Sequence, residues 1–321
     1  MSNFPKKVRI IEEGPREGFQ MEKGPIPTAR KVELIDALST TGVRDIVAVS
    51  FVNPRAVPGM ADAEEVVARS HRQPGVRYSA LCLNARGIER AMATDRLDLP
   101  GQLNAFASEP FLMRNQNKTF AEMFQEVDSM VQAYKAHGVP VQSLAIGAVF
   151  GCNFAGPVKT DSVIDIVRRI IDIVERNGET LELINLADTM AWATPRTIKT
   201  TVEAVATAFP GYRLGLHLHD TRGMAIANAY AGLEMGIDQF DACVAGLGGC
   251  PFAGHGGAAG NVCTEDLVLL CDEMGIETGI DLERMIECAR LAEDIVGRPL
   301  PGSVKTGGSL QRLRDGVRMA S

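Results

Sequence analysis

The sequence predicts an α/β fold, a closed (β/α)8 TIM barrel with a short C-terminal helical extension. Three observations carry that prediction. Short β-like runs alternate with helical patterns eight times along the chain, and such alternation makes parallel strands joined by helical crossovers. The runs are nearly continuously apolar, as strands covered on both sides are. The chain has 321 residues, long for an ordinary domain and right for one barrel.

The eight units follow in order. Residues 7–13 (KVRIIEE) read as the first strand, and 28–42 as an amphipathic helix closed by Gly42. The second strand, 45–52 (DIVAVSFV), leads to a helix over 62–72. Strand 77–83 leads to helix 85–93, and strand 102–108 to the long helix 119–138. Strand 141–150 precedes helix 160–178, and strand 181–188 precedes helix 194–209. Strand 213–220 (RLGLHLHD) precedes helix 223–236, and strand 239–246 precedes helix 261–275. A doubly wound open sheet is the alternative, but the first turn reads EEGPREG rather than GxGxxG. The barrel is placed at about residues 7–275. One more helix (282–297) and a Gly/Pro-rich end make a tail over about 281–321, read as a flap or interface segment. The whole of 1–321 is expected to be a single domain.

Hydrophobic residues make up 45% of the chain and charged residues 23%, an average globular composition. The net charge of −7 argues against nucleic acid or an anionic membrane as partner. No apolar run approaches the roughly 20 residues of a membrane span, and the opening MSNFPKKVRI lacks a signal-peptide core. A cytoplasmic protein is expected. Seven scattered cysteines without a CxxC pair suggest neither a disulfide framework nor a structural zinc site.

In such a barrel the chemistry collects at the C-terminal strand ends. The polar residues there are Glu12, Glu13, Arg16 and Glu17 after strand 1, and Ser108 and Glu109 after strand 4. Asp188 follows strand 6, and His217, His219 and Asp220 end strand 7. Cys250, His255 and Asn261 follow strand 8. Alternation along a strand points His217 and His219 the same way, into the mouth, while Leu216 and Leu218 face the helices. Two imidazoles facing rim carboxylates can hold a divalent metal. The mixed nitrogen and oxygen set suits Mg²⁺, Mn²⁺, Co²⁺ or Zn²⁺, the alternative being a hydrogen-bonded structural pair. Gly246 to Gly260 contains seven glycines, a composition suited to a lid. Cys250 within it is a candidate proton donor or an incidental thiol. Glu12 and Ser108, on the same rim, are expected to meet substrate.

The segments EEGPREGFQ, SFVNPRAVPGMAD, LADTMAWATP, LHLHDTRGMAIANAYAGLEMG and DACVAGLGGCPFAGHGGAAGNVCTEDLV resemble the 3-hydroxy-3-methylglutaryl-CoA lyase family. They place the chain in the wider barrel superfamily that includes isopropylmalate synthase. The resemblance covers roughly residues 7 to 300. It implies metal-dependent retro-Claisen cleavage of a 3-hydroxyacyl-CoA to a shorter acyl-CoA and a keto acid, with Mg²⁺ or Mn²⁺ favoured, an acyl-CoA as partner and a homodimer or higher homo-oligomer. Carried over, the metal ligands are Glu17, His217, His219 and Asn261. The catalytic set is Arg16, Glu17, Asp188, His217 and Cys250. Arg16 stabilises the enolate oxygen, Cys250 protonates the enolate carbon, and Asp188 orients the substrate hydroxyl or a base.

Two departures stand out. The family pattern has Arg-Asp after strand 1, whereas this chain has Arg16-Glu17. A glutamate in a segment like IETTSFV is replaced, in IVAVSFV, by Val47. Val47 and Val49 are expected to share a face and line the mouth, where they would contact a hydrocarbon part of the substrate. An analogue with a different or larger apolar substituent is therefore expected, with Arg222 and Trp192 as further specificity candidates. CoA contacts are expected in 108–118 through Arg114 and Lys118. Alternatives are a synthase condensing an acyl-CoA with a 2-keto acid, a lyase for a citramalyl-CoA-like substrate, and a non-catalytic binder.

Overall fold

The computed structural model describes residues 4–22, 24, 26–249 and 260–320. Its elements, in chain order, are β1 (Arg9–Glu12), α1 (Phe19–Met21), α2 (Thr28–Leu38), β2 (Asp45–Ser50), α3 (Ala63–Arg69), β3 (Arg77–Leu81), α4 (Ala85–Met92), β4 (Gln102–Phe106), α5 (Glu109–Gln116) and α6 (Phe120–Ala136). There follow β5 (Ser143–Gly147), α7 (Thr160–Arg176), β6 (Leu183–Asp188), α8 (Pro195–Ala208), β7 (Arg213–Leu218), α9 (Ala225–Glu234), β8 (Gln239–Ala242), α10 (Thr264–Glu273), α11 (Leu282–Val296), α12 (Val304–Gly307) and α13 (Leu310–Ala320).

All strand pairs are parallel and run in the order β3-β2-β1-β8-β7-β6-β5-β4. This is the sheet of a (β/α)8 barrel, with β1 beside β8 as closure demands. At the seam between β3 and β4 the Asn104 amide donates to the Cys82 carbonyl at 3.1 Å.

Every second strand residue faces the helices and forms a continuous apolar layer. Ile10, Ile46, Leu103, Leu144, Ile184, Leu216 and Phe240 all lie in it. The opposite face differs from the barrel norm of packed branched side chains. The lumen holds a cavity of about 230 Å³ lined by Arg9, Asp45, Asn185, Gln239 and Asp241. Arg9 grips Asp45 with two hydrogen bonds of 2.8 Å, and Arg77 adds a third contact at 2.7 Å. These strand starts are polar on one face, a point hidden by the apolar majority of each run.

The helix expected over 282–297 is α11, which packs against α2 and α10 and is tied by Arg284 to the Thr40 carbonyl. The Gly/Pro-rich end, expected to be a flap or interface segment, carries α12 and α13.

Candidate metal and active site

β1 runs into a π-helical turn, Gly14–Gly18. Such turns are rare and gather at functional sites. The sequence explains why it forms here. Pro15 lacks the N–H that the first turn cannot use, and a Cβ on Gly14 would sit 2.6 Å from Glu12 Oε1 and 2.8 Å from Val244 Cγ1. Arg16 and Glu17 project from this turn.

Opposite them stand His217 on β7 and His219 just beyond it. His219 is bridged to Asn261, and the Val262 N–H donates to the Leu218 carbonyl at 2.8 Å. The chain therefore holds Asn261 beside the histidines although 42 positions separate His219 from it. Four side chains meet. The two Nε2 atoms of His217 and His219 are 3.0 Å apart. Glu17 Oε1 is 3.1 Å from His219 Nε2, and Glu17 Oε2 is 3.7 Å from His217 Nε2. The Asn261 amide donates to Glu17 Oε1 at 3.0 Å. Its own Oδ1 is buried without a hydrogen-bond partner among the described residues.

Electrostatics and geometry both fit a cation at this point. Two neutral imidazoles facing each other through Nε2 cannot both present lone pairs without a shared proton or cation. Burial opposes the Glu17 charge, but Arg16 and His217 outweigh it and hold its carboxyl well below the usual range. Burial likewise opposes a charged His217, yet Glu17 and Asp241 push it up to about 10. A pocket that holds a proton so firmly is one in which a metal ion can take the proton's place. The Glu17, His217 and His219 ligand atoms all lie within 4.8 Å of one another. The orphaned Oδ1 of Asn261 offers a fourth.

Two neighbours join the group: Asp241, which the sequence analysis does not name, and Glu13, which it places on the rim without a role. Asp241 Oδ2 lies 3.1 Å from His217 Nδ1 and accepts from the Asn185 amide at 2.6 Å. A carboxylate on the far nitrogen fixes the tautomer that presents Nε2 to a metal. Glu13 is ion-paired with Arg16, whose other arm contacts Glu17 at 2.9 Å. The signal for Asp241 was present: it is the one acidic residue of β8.

Several expectations are corrected. Glu12 does not face the mouth. It is fully buried, accepting from the Gly14 and Val244 N–H groups at 2.7 and 2.9 Å and from the Thr264 hydroxyl at 2.6 Å. As the neighbour of Glu13 on one strand it takes the other face. Val47 and Val49 do not share a face, because the register shifts between them. Val47 lines the lumen cavity, while Val49 packs in the outer apolar layer. Ser108 is the N-cap of α5, accepting from the Phe111 N–H, and so supports a helix rather than the mouth.

Asp188 pairs in register with Leu218 rather than with a histidine. Its carboxylate accepts from the Trp192 and Ala193 N–H groups at 2.7 and 3.1 Å, and burial pushes it up to about 6. It orders the turn after β6, where Arg222 also donates to the Met190 and Ala191 carbonyls at 3.0 Å. The Trp192 indole N–H donates to Asn153 at 2.7 Å. Asp220 accepts from the Ala225 N–H at 2.7 Å, away from the histidine pair. Arg114 lies over the Phe154 ring at 4.4 Å, and Lys118 is paired with Glu126 at 3.0 Å. Cys250 and His255 lie outside the described residues.

A family profile described as HMGL-like matches residues 7–292. The chain belongs to the HMGL-like family. It is a carbon–carbon lyase. Among curated relatives, the mitochondrial hydroxymethylglutaryl-CoA lyase of Rattus norvegicus is 38% identical over 287 residues, covering 89% of this chain and 85% of that protein. A Pseudomonas aeruginosa protein named 3-hydroxy-3-isohexenylglutaryl-CoA/hydroxy-methylglutaryl-CoA lyase is 38% identical over 296 residues, covering 92% and 95%. Among solved structures, an HMG-CoA lyase from Acinetobacter baumannii in complex with coenzyme A and 3-methylmalate superposes with a TM-score of 0.86 at 35% identity, covering 97% of this chain and 98% of that one. Within this HMGL-like chain, the group at the mouth comes from strands 1 and 7 and the segment after strand 8, far apart in sequence.

Proposed function

We propose that this HMGL-like protein cleaves 3-hydroxy-3-methylglutaryl-CoA, or a close analogue differing at the 3-substituent, into a shorter acyl-CoA and a keto acid. The convergence of Glu17, His217, His219 and Asn261 beside Arg16 is the observation that carries the reading. Those four side chains would hold a divalent ion, with Mg²⁺ or Mn²⁺ favoured over Co²⁺ or Zn²⁺ by the two oxygen donors. When bound, such an ion polarises the substrate oxygens as a Lewis acid.

The chain's own groups do the rest. Arg16, fixed between Glu13 and Glu17, presents its guanidinium where negative charge develops on the thioester oxygen. Cys250 delivers the proton to the departing carbon. Asp188 holds the turn that borders the mouth. The altered-substituent reading now rests on Val47 alone, an apolar side chain on the lumen wall where the resemblance places a carboxylate. The bond-forming direction, with a 2-keto acid, has no separate feature in its favour.

We infer a homo-oligomer from the exposed Leu310 and Leu313 on α13, and a cytoplasmic location. No helix among the described residues is long and apolar enough to cross a membrane. The deciding experiment incubates purified, Mn²⁺-loaded protein with 3-hydroxy-3-methylglutaryl-CoA and with a longer-chain 3-substituted analogue. Release of acetyl-CoA and acetoacetate supports the first substrate. Turnover of the analogue alone supports the second, and turnover of neither overturns the lyase substrate assignment.

A further inference from the structure

The group at the mouth sets three buried carboxylates, Glu13, Glu17 and Asp241, against two basic side chains, Arg16 and His217. Asp241 faces the far nitrogen of His217 at 3.1 Å, and Glu13 is ion-paired with Nη2 of Arg16. The third carboxylate is shared. Arg16 Nη1 lies 2.9 Å from Glu17 Oε2, and both imidazoles approach Glu17 through Nε2. Each basic partner thus has a carboxylate of its own. Glu17 is the one that also meets Asn261.

The backbone of Glu13 does the structural work at that position. Its N–H donates to the Ala242 carbonyl at 2.8 Å, and its carbonyl accepts from the Arg16 and Glu17 N–H groups at 3.1 and 2.7 Å. The side chain makes no capping hydrogen bond to the turn and lines the lumen cavity instead. A buried carboxylate is costly unless it is paired, and here the pair is with Arg16. The register of β1 on β2 runs Ile11 with Asp45 and Glu12 with Ile46. One step further sets Glu13 beside Val47, on the same cavity wall. Neighbouring strands lie about 4.8 Å apart, within the length of a glutamate side chain. A carboxylate from either position therefore reaches the same volume.

We propose that Glu13 is a positioning residue for Arg16. A guanidinium left to one carboxylate grips it with both arms, and such a grip on Glu17 would oppose a cation for the same oxygens. By holding one arm, Glu13 keeps Arg16 from closing on Glu17. Glu17 stays open to a cation, and the guanidinium stays aimed across the mouth. The inference rests on the lyase reading above for what Arg16 does to substrate. It rests on the contacts alone for what Glu13 does to Arg16 and Glu17.

Titration of the intact protein with Mn²⁺ reads Glu13 without requiring turnover. Glu13→Gln keeps the shape of the side chain and removes its charge. It weakens Mn²⁺ binding about tenfold, as losing a partner that orients a metal ligand does. In kinetics kcat falls about tenfold or more while the KM for the acyl-CoA stays within about twofold. Both losses pass through Arg16, so in an Arg16→Gln background the same change shifts Mn²⁺ affinity by less than about threefold. Glu13→Val behaves like Glu13→Gln, and adding Val47→Glu to it returns Mn²⁺ affinity to within about threefold of the unsubstituted protein. Urea melts establish that each variant is folded. A loss undiminished in the Arg16→Gln background means that Glu13 acts on the ion by its charge alone, and overturns the inference. So does unchanged Mn²⁺ affinity in Glu13→Gln, or a folded exchange variant that regains none of it. The expected Mn²⁺ results without cleavage of any 3-hydroxyacyl-CoA overturn the lyase substrate reading and leave the role of Glu13 standing.

Discussion

Glu13 and Val47 face the same lumen cavity from adjacent strands. The carboxylate that the family resemblance places on strand 2 is absent there, and a buried one stands on strand 1 instead, ion-paired with Arg16. The Glu13, His217 and Asp241 ligand atoms lie within 4.8 Å of one another, so this wall of the site already carries its negative charge.

Adding a second carboxylate therefore conflicts with the first. Val47→Glu should destabilise the protein by about 2–4 kcal/mol, because a buried charge would lack a cation of its own. The exchange Glu13→Val with Val47→Glu should recover more than about 1 kcal/mol of that loss, a coupling visible in a double-mutant cycle of urea melts. Strict additivity of the two substitutions would show that the positions do not sense each other.

Asp241 holds the far nitrogen of His217 and is itself held by Asn185. Asp241→Ala should weaken Mn²⁺ binding by about 10–100-fold, the range for losing a carboxylate behind a ligating histidine. Direct titration with Mn²⁺ measures it. An unaltered affinity would remove Asp241 from the support of the site.

Cation loading should raise stability through the same four side chains. At a Mn²⁺ concentration a hundredfold above its dissociation constant, mass action adds about 2.7 kcal/mol. The melting temperature rises accordingly, and EDTA reverses the rise. His219→Ala should abolish the Mn²⁺-dependent part, and a rise that survives the substitution would place the ion elsewhere.

Cys250→Ala should lower kcat by about 10²–10⁴-fold, the contribution of a positioned proton donor, with CoA affinity unchanged. Rapid-quench turnover with a parallel CoA titration separates the two effects. A full rate in the variant would take the thiol out of the mechanism.

The buried carboxyls Glu12 and Glu265 give a pH signature to folding. Burial pushes each up to about 7 from an ordinary 4.5, against the hydrogen bonds they accept. Between those pH values the folded chain holds more protons than the unfolded one. Stability therefore falls as pH rises from about 4.5 to 7 and is flat in this contribution above that. Together the two groups give a drop on the order of a few kcal/mol. Urea melts across the window should show Glu12→Gln flattening the slope, and an unchanged slope would assign the dependence to other groups.

The fold was legible because burial writes itself as apolar runs. All eight strands and α11 follow from periodicity. The metal-type group was legible because two histidines two apart on a strand must share a face. What escaped depends on exceptions to that period or on parity within a short strand. The register shift between Val47 and Val49 breaks the alternation that would have put both in the mouth. Glu12 and Glu13 are neighbours, so one had to turn outward, and their shared charge gave no hint which. Asp241 was concealed between its apolar neighbours Phe240 and Ala242.

Gly248 and Gly260 stand back to back. A Cβ on Gly260 would lie 2.3 Å from the Gly248 carbonyl oxygen, and the Gly260 and Asn261 N–H groups donate to the Gly246 and Leu247 carbonyls at 3.3 and 3.2 Å. The chain thus leaves for residues 250–259 and returns through a single stitched neck, with Asn261 on the barrel side of it. Asn261 is fixed by the neck itself, through its backbone N–H and side-chain amide, both donating to the Leu247 carbonyl. Lengthening or shortening that segment should retune proton delivery while the ion's affinity stays where the barrel sets it.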